Sequence, residues 1–319
     1  METEPVKRLV SIVIPAYNEE AVLAELKVRL QEFMGNQPSY DFEVVIVENG
    51  SYDKTYERLL GIHREDSRFK IVKLSRNFGP DEGIVAGLRY VHGHAAIIMD
   101  ADLQDPPELI HQFIQKWEEG YEIVYGIIQK REGVSSFRKV ISRGAYWIIH
   151  KLSNDLIPEN ACDFRLIDRK VYRALARMNE KNKFLRGLIV WTGFRQVGIP
   201  FERHPRFAGE PKAGFRMAWD IAMNGIFSFS YFPLKIATAA GFLLFGLSCI
   251  LTAIEIYLYL IYGREVPGFT TLVLSILFGF GMVFLMFGVL GNYIERIYEE
   301  VKQRPNYIVD TVVGFNEPE

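Results

Sequence analysis

The stretch Ala95–Ile110, AAIIMDADLQDPPELI, decides how this chain is read. It opens as a buried strand, Ala95 to Met99, and then sets Asp100 and Asp102 one residue apart. Residues two apart in an extended segment point the same way, so the two carboxylates converge. Carboxylates that close repel unless a proton or a cation lies between them. Oxygen donors of this kind suit Mg²⁺ or Mn²⁺, which take few protein ligands and fill the rest with substrate phosphates. Gln104 lies two residues further on and adds a third candidate oxygen. A DxD ahead of Pro106 also fits a solvated turn with capping acids. What favours a cation site is its place at the end of an apolar strand within an alternating α/β order.

That order extends on both sides. Strands are expected over Leu9–Pro15, Asp41–Val47, Phe69–Leu74 and Ala95–Met99 from their β-branched, apolar runs. Helices are expected over Glu19–Met34, Asp53–Asp66, Asp81–Val91, with a small-residue face, and Pro107–Glu119, with proline in its first turn. Alternation of this kind predicts an α/β fold with a largely parallel sheet covered on both faces. Such sheets bind ligands beyond the carboxyl ends of their strands. The segments there are PAYNEE, ENGSYD, SRNFG and DADLQD. No GxGxxG occupies the first turn and no GxxxxGK[ST] occurs, which argues against dinucleotide-binding and P-loop readings.

The net charge of −2 argues against a general nucleic-acid binder. The two cysteines, Cys162 and Cys249, make neither a disulfide framework nor a zinc pattern. Two apolar runs, Leu234–Tyr262 and Phe269–Tyr293, each exceed the roughly 20 residues that cross a bilayer. The short linker 263–268 predicts an antiparallel hairpin. Arg296, Lys302 and Arg304 follow the second run closely, which places both termini in the cytoplasm. No signal peptide is visible before the first strand.

Together, PAYNEE, ENGSYDKT, SRNFG, MDADLQDPPE, CDFRLIDRKV and RFAGEPK, with the two apolar runs, resemble the family 2 glycosyltransferases of GT-A fold. The likeness is to the polyprenyl-phosphate type, which includes dolichyl-phosphate mannose synthases and bacterial undecaprenyl-phosphate glucosyltransferases, and it covers nearly the whole chain. The resemblance implies a nucleotide pocket lined by Pro15, Tyr17 and Glu19, with Val47, Glu48 and Asn49 near the base. It implies that Asp100, Ala101, Asp102 and Gln104 hold the metal and the diphosphate. Arg138 and Ser142 would contact the lipid phosphate, Asp163 would face the sugar or the acceptor, and Arg206 and Lys212 would close over the diphosphate. It further implies an inverting transfer from a nucleotide sugar, expected to be UDP-glucose, to a polyprenyl phosphate. A phosphate monoester has a second pKa of about 6, so the acceptor is ionised at neutral pH and needs no strong base.

Two positions depart from the family pattern. Asn49 stands where an aspartate is usual, with Glu48 beside it as a substitute charge. Ile128 stands where an arginine is frequent, so Lys130 or Arg131 is expected to take the phosphate contact. For Asp163 the alternative is a structural partner of Arg165 or Arg169. The segment 129–143 carries five basic residues against one acid, and is expected to meet anionic headgroups. The resulting organisation is a cytoplasmic catalytic domain over 1–214, interfacial amphipathic helices over 215–233, two transmembrane helices over 234–293 and a cytoplasmic tail over 294–319. The protein is expected in the plasma membrane. Tyr307–Val313 reads as a strand, expected to pair with a neighbouring subunit and so give a homo-oligomer. Two competing readings are a catalytically silent nucleotide-binding scaffold and a processive polysaccharide synthase. The latter usually carries a QxxRW motif, which is absent.

Overall fold

The computed structural model describes residues 7–129, 161–178, 180, 185–203, 232–262 and 269–315. They divide into an α/β unit, Met1–Ala222 with Arg304–Glu319, and a helical unit, Met223–Gln303.

The α/β unit opens with the expected alternation: β1 (Arg8–Ala16), α1 (Leu23–Gly35), β2 (Tyr40–Glu48), α2 (Thr55–Glu65), β3 (Phe69–Leu74), α3 (Pro80–Leu88) and β4 (Ala95–Ile98). A 3-10 turn (Pro107–Leu109) then leads into α4 (Ile110–Glu118) and β5 (Ile123–Ile128). After β6 (Ala161–Asp168) come α5 (Arg169–Ala176), α6 (Leu185–Trp191), β7 (Gln196–Phe201) and, far down the chain, β8 (Val309–Val313). The sheet order is β7-β5-β6-β4-β1-β2-β3-β8. β6 runs antiparallel to β4 and β5, and β8 antiparallel to β3, while the remaining pairings are parallel.

Three departures have physical causes. Helix α1 begins at Leu23 and not at Glu19. The N–H groups of Asn18, Glu19 and Glu20 donate to the side chains of Ser51, Thr55 and Asp53, and Asn18 has φ +51°. Those residues tie one loop to another and cannot also open a helix. The expected helix over Pro107–Glu119 starts as a tighter 3-10 turn, in which the N–H groups of Leu109 and Ile110 donate to the carbonyls of Pro106 and Pro107, three residues back. The tail strand is present, but it pairs with β3 of its own chain, Val313 opposite Ile71 and Thr311 opposite Lys73. Within this one chain the strand completes the edge of β3, where Lys73 meets Asp310 at 2.8 Å, and the expected pairing with a neighbouring subunit stays a proposal.

The small face of α3 explains its close approach to the sheet. A Cβ on Gly87 would lie 2.5 Å from Val13 and 2.9 Å from Val47. On the other wing, Phe113 of α4 packs on Phe164 of β6 with ring centroids 4.7 Å apart, and Phe164 reaches Phe201 of β7. All three rings are buried. Truncating such a ring to alanine typically costs about 3–5 kcal/mol, so this stack fixes β6 and β7 where their polar ends meet the site.

In the helical unit, α7 (Phe232–Tyr262) and α8 (Phe269–Lys302) touch each other. The segment Phe278–Lys302 is long and apolar enough to cross a membrane, with mean hydropathy 1.4. Phe242, Leu243 and Leu260 on α7 and Phe284, Leu285 and Val301 on α8 are all exposed. The expected linker, 263–268, lies outside the described residues, as does most of the amphipathic segment 215–232.

Candidate active site

Strands β1 to β5 and β7 end at one edge of the sheet, and β6 begins there. In the antiparallel β4–β6 register Ile98 faces Arg165. Two residues on along β4 comes Asp100, and two residues back along β6 comes Asp163. Ile128 of β5 pairs with Phe201 of β7, which brings Arg203 to the same edge. The order β4-β1-β2-β3 places the direction switch between β1 and β4, where an open α/β sheet leaves a crevice.

Charged groups collect there. The Arg203 guanidinium bridges two carboxylates, Nη2 to Asp100 Oδ2 at 3.2 Å and Nε to Asp105 Oδ1 at 3.1 Å. Arg186 of α6 grips both oxygens of Asp163, the first through Nε at 2.5 Å. Arg165 is buried, donates to the Cys162 carbonyl at 2.7 Å and lies 3.8 Å from Asp163. Asp81 of α3 accepts the Leu185 N–H at 3.2 Å, holding the start of α6. Five carboxylates (Asp81, Asp100, Asp102, Asp105, Asp163) thus face three guanidiniums.

That imbalance sets the protonation. Burial and the neighbouring Asp105, Asp163 and Asp102 raise Asp100 above the usual carboxylate range, against the pull of Arg203. Burial likewise raises Asp105, with Arg203 opposing, and lifts Asp81 to about 6 with help from Asp163. Asp163 goes the other way. Burial would raise it, but Arg186 and then Arg165 hold it at about 2. Burial pushes the Cys162 thiol up to about 12, which leaves no thiolate at neutral pH.

The DxD segment is tightly folded. Asp102 is buried and accepts the Gln104 N–H at 3.1 Å, while Leu103 has φ +57°. A branched residue there is backbone strain of the kind that collects at functional sites. Ala101 is buried in the core. Asp100 is the open member, its side chain 40% exposed against 1% for Asp105. Among the described residues no three carboxylate, His or Cys side chains converge on one point. Two carboxylates in a pocket with excess negative charge still fit a hard divalent ion, which would complete its shell with phosphate oxygens.

The first three loops are laced together beside this cluster. Asn18 Oδ1 accepts the Tyr52 N–H, and Tyr17 meets the Tyr52 ring edge-on. Glu48 is buried and accepts the Ser51 N–H. Asn49, also buried, accepts the Phe78 N–H at 3.1 Å and donates to the Gly79 carbonyl at 2.8 Å. Glu19 is fixed through its own N–H, and Pro15, one residue before the end of β1, lies next to Gly83. Val47 is fully buried inside β2 beneath α3, paired with Pro15 on one side and Val72 on the other, and presents no surface to a ligand.

The structure therefore gathers Asp100, Asp102, Gln104 and Asp163 at one edge, with Pro15 and Glu48 at the ends of β1 and β2 and Tyr17, Glu19 and Asn49 in the loops that follow them. Lys130, Arg131, Arg138, Ser142, Arg206 and Lys212 lie outside the described residues. Sequence reasoning missed Arg186, Arg203, Asp105 and Asp81. Asp105 lies inside the quoted MDADLQDPPE, Asp81 two residues after SRNFG and Arg203 three residues before RFAGEPK, so each had a signal. Arg186 had none, being joined to the site only by folding. Two surface cavities, of about 340 and 520 Å³, lie away from the site around α5, lined by Arg169, Arg173 and Trp117 among others.

Residues 11–176 match the family described as glycosyl transferase family 2. The chain belongs to that family. It is 42% identical over 305 residues to an uncharacterised glycosyltransferase of Synechocystis sp., covering 96% of each chain. It is 35% identical over 300 residues to the SfII prophage-derived bactoprenol glucosyl transferase of Shigella flexneri, covering 94% of this chain and 97% of that one. Among solved structures it is similar to glucosyl-3-phosphoglycerate synthase from Mycobacterium tuberculosis, with TM-score 0.49 at 15% identity, over 68% of this chain and 75% of that one. In this family 2 chain the match runs from β1 to the end of α5 and so takes in the DxD carboxylates and Asp163, whereas Arg186 and Arg203 fall beyond it.

Proposed function

We infer that the chain transfers one glucose from UDP-glucose to a polyprenyl phosphate at the cytoplasmic face of the plasma membrane. The observation that carries this reading is the excess of carboxylates at the switch point, held in register by Arg186 and Arg203. The bactoprenol glucosyl transferases, similar over nearly their full length, support the sugar and the acceptor.

A Mg²⁺ or Mn²⁺ ion held by Asp100 and Asp102, with Gln104 beside them, would neutralise the charge that develops on the leaving diphosphate. The phosphate oxygen of the lipid attacks the anomeric carbon, and the bond to the diphosphate oxygen breaks with its electron pair, inverting the configuration. Arg203, which reaches Asp100, would add to the stabilisation of that charge. Asp163, kept ionised, accepts hydrogen bonds from a sugar hydroxyl and does not donate a proton. The acceptor is already an anion, so no base has to remove a proton from it. Arg206 and Lys212 over the diphosphate, and Lys130, Arg131, Arg138 and Ser142 on the lipid phosphate, complete the reading.

Both α7 and α8 are read as membrane spans. At 1.5 Å per residue each exceeds about 45 Å, longer than a bilayer core. Residues on both sides of Met223–Gln303 belong to the α/β unit, which fits an even number of crossings by the helical segment between them. The exposed apolar side chains on both helices support two crossings. A homo-oligomer remains part of the reading, with no interface assigned.

The test is transfer by the purified chain, given Mn²⁺ or Mg²⁺, undecaprenyl phosphate and a panel of labelled nucleotide sugars. Glucose is expected on the lipid from UDP-glucose, abolished by EDTA and reduced at least about 100-fold by Asp102→Ala. Transfer from a different donor would change the sugar. Nucleotide binding without transfer from any donor would favour a silent scaffold.

A further inference from the structure

Arg203 occupies the outward carboxylate of the DxD pair. Its Nη2 lies 3.2 Å from Asp100 Oδ2, and its Nε 3.1 Å from Asp105 Oδ1. Asp105 is fully buried, while Asp100 is the carboxylate open to solvent. A cation arriving at Asp100 therefore meets a guanidinium already bound there. Like charges within a few ångströms repel strongly where water is partly excluded. The planar fork is also anchored on Asp105, so it cannot drift away from Asp100 without breaking a second contact.

We propose that Arg203 is a built-in competitor for the divalent cation, which must displace it from Asp100, so that Arg203 sets how tightly the metal is held before the donor binds. This rests on the reading that Asp100 and Asp102 hold the ion. The consequence is a division of labour. Alone, the protein holds its cation weakly, because the guanidinium already neutralises Asp100. When a nucleotide diphosphate arrives with the ion, Arg203 gains new anionic oxygens and the competition relaxes. Metal and donor would then bind with mutual reinforcement, as linkage requires when one ligand removes an obstacle to the other.

The experiment is titration of the full chain in detergent with Mn²⁺, free ion being read by electron paramagnetic resonance, with and without UDP. Wild type is compared with Arg203→Gln and Arg203→Lys. Without UDP, Arg203→Gln is expected to bind Mn²⁺ about tenfold more tightly than wild type, the size of effect that removing one adjacent like charge supports. Arg203→Lys keeps the charge but cannot span both carboxylates, and is expected in between. UDP is expected to tighten Mn²⁺ binding by wild type more than by Arg203→Gln. Melting curves give a second readout: Mn²⁺ raises the melting temperature of Arg203→Gln more than that of wild type. Equal affinity in all three proteins, with wild type binding Mn²⁺ in the presence of UDP, would overturn the role of Arg203 and leave the metal site standing. Absence of Mn²⁺ binding by every protein in both arms would overturn the metal site and this proposal together.

Discussion

Asn49 is held at both ends of its amide, taking the Phe78 N–H and giving to the Gly79 carbonyl. A carboxylate at that position would keep the first bond and set an oxygen against the second. Asn49→Asp is therefore expected to destabilise the protein by about 1–3 kcal/mol, the cost of leaving a buried acceptor unpaired, and a melting curve as high as wild type would refute it. The sequence showed the departure from the usual aspartate but not its reason, because the partners lie some thirty residues away in the third loop. Asp81 gives a pH signature. Its folded pKa, about 6, lies above the ordinary aspartate value of 3.8, so the fold penalises its ionised form. The penalty is absent below about pH 4, grows through the interval, and is complete above pH 6. Asp81→Asn should accordingly be the more stable protein at pH 7.5, by about 1–2 kcal/mol after allowing for partial exposure. That advantage should vanish at pH 4, and a gap independent of pH would count against it. The paired carboxylates and Asp163 were legible from spacing and motif. Arg186 was not, since nothing around it in the chain distinguishes it from a solvated arginine.

At the scale of elements, the period-two and helical patterns located the first four strands and their helices to within a few residues. The errors fell where side chains of one loop satisfy the backbone of another, as at Asn18 to Glu20. The apolar alternation of Tyr307–Val313 announced a strand but could not say whose edge it completes. A strand's pattern encodes which face is buried, and carries no address for a partner more than two hundred residues away. The pairing predicts what removal would do. Deleting Arg304–Glu319 uncovers the β3 edge, and the amides of Ile71 to Leu74 should exchange with solvent at least about tenfold faster. Unchanged exchange in hydrogen–deuterium mass spectrometry would show that β8 does not protect this edge.

For the molecule as a whole, the division into an α/β unit and a helical unit follows from where apolar residues concentrate. What composition could not show is that the α/β unit is discontinuous, resuming at Arg304 after the helices end. This interruption orders the birth of the protein. Synthesis proceeds at roughly 5–20 residues per second, so the ribosome reaches Val309 roughly 10–50 s after it finishes Leu74. Throughout that interval the outer edge of the catalytic sheet is bare. On the reading of α7 and α8 as membrane spans, they are inserted while the sheet still lacks its last strand. Neighbouring nascent chains on one message would present the same open edge to each other. Completion of the sheet is thus a late event that waits on the whole helical unit, and a chain stalled at its helices stays unfinished at the other end of its sheet as well.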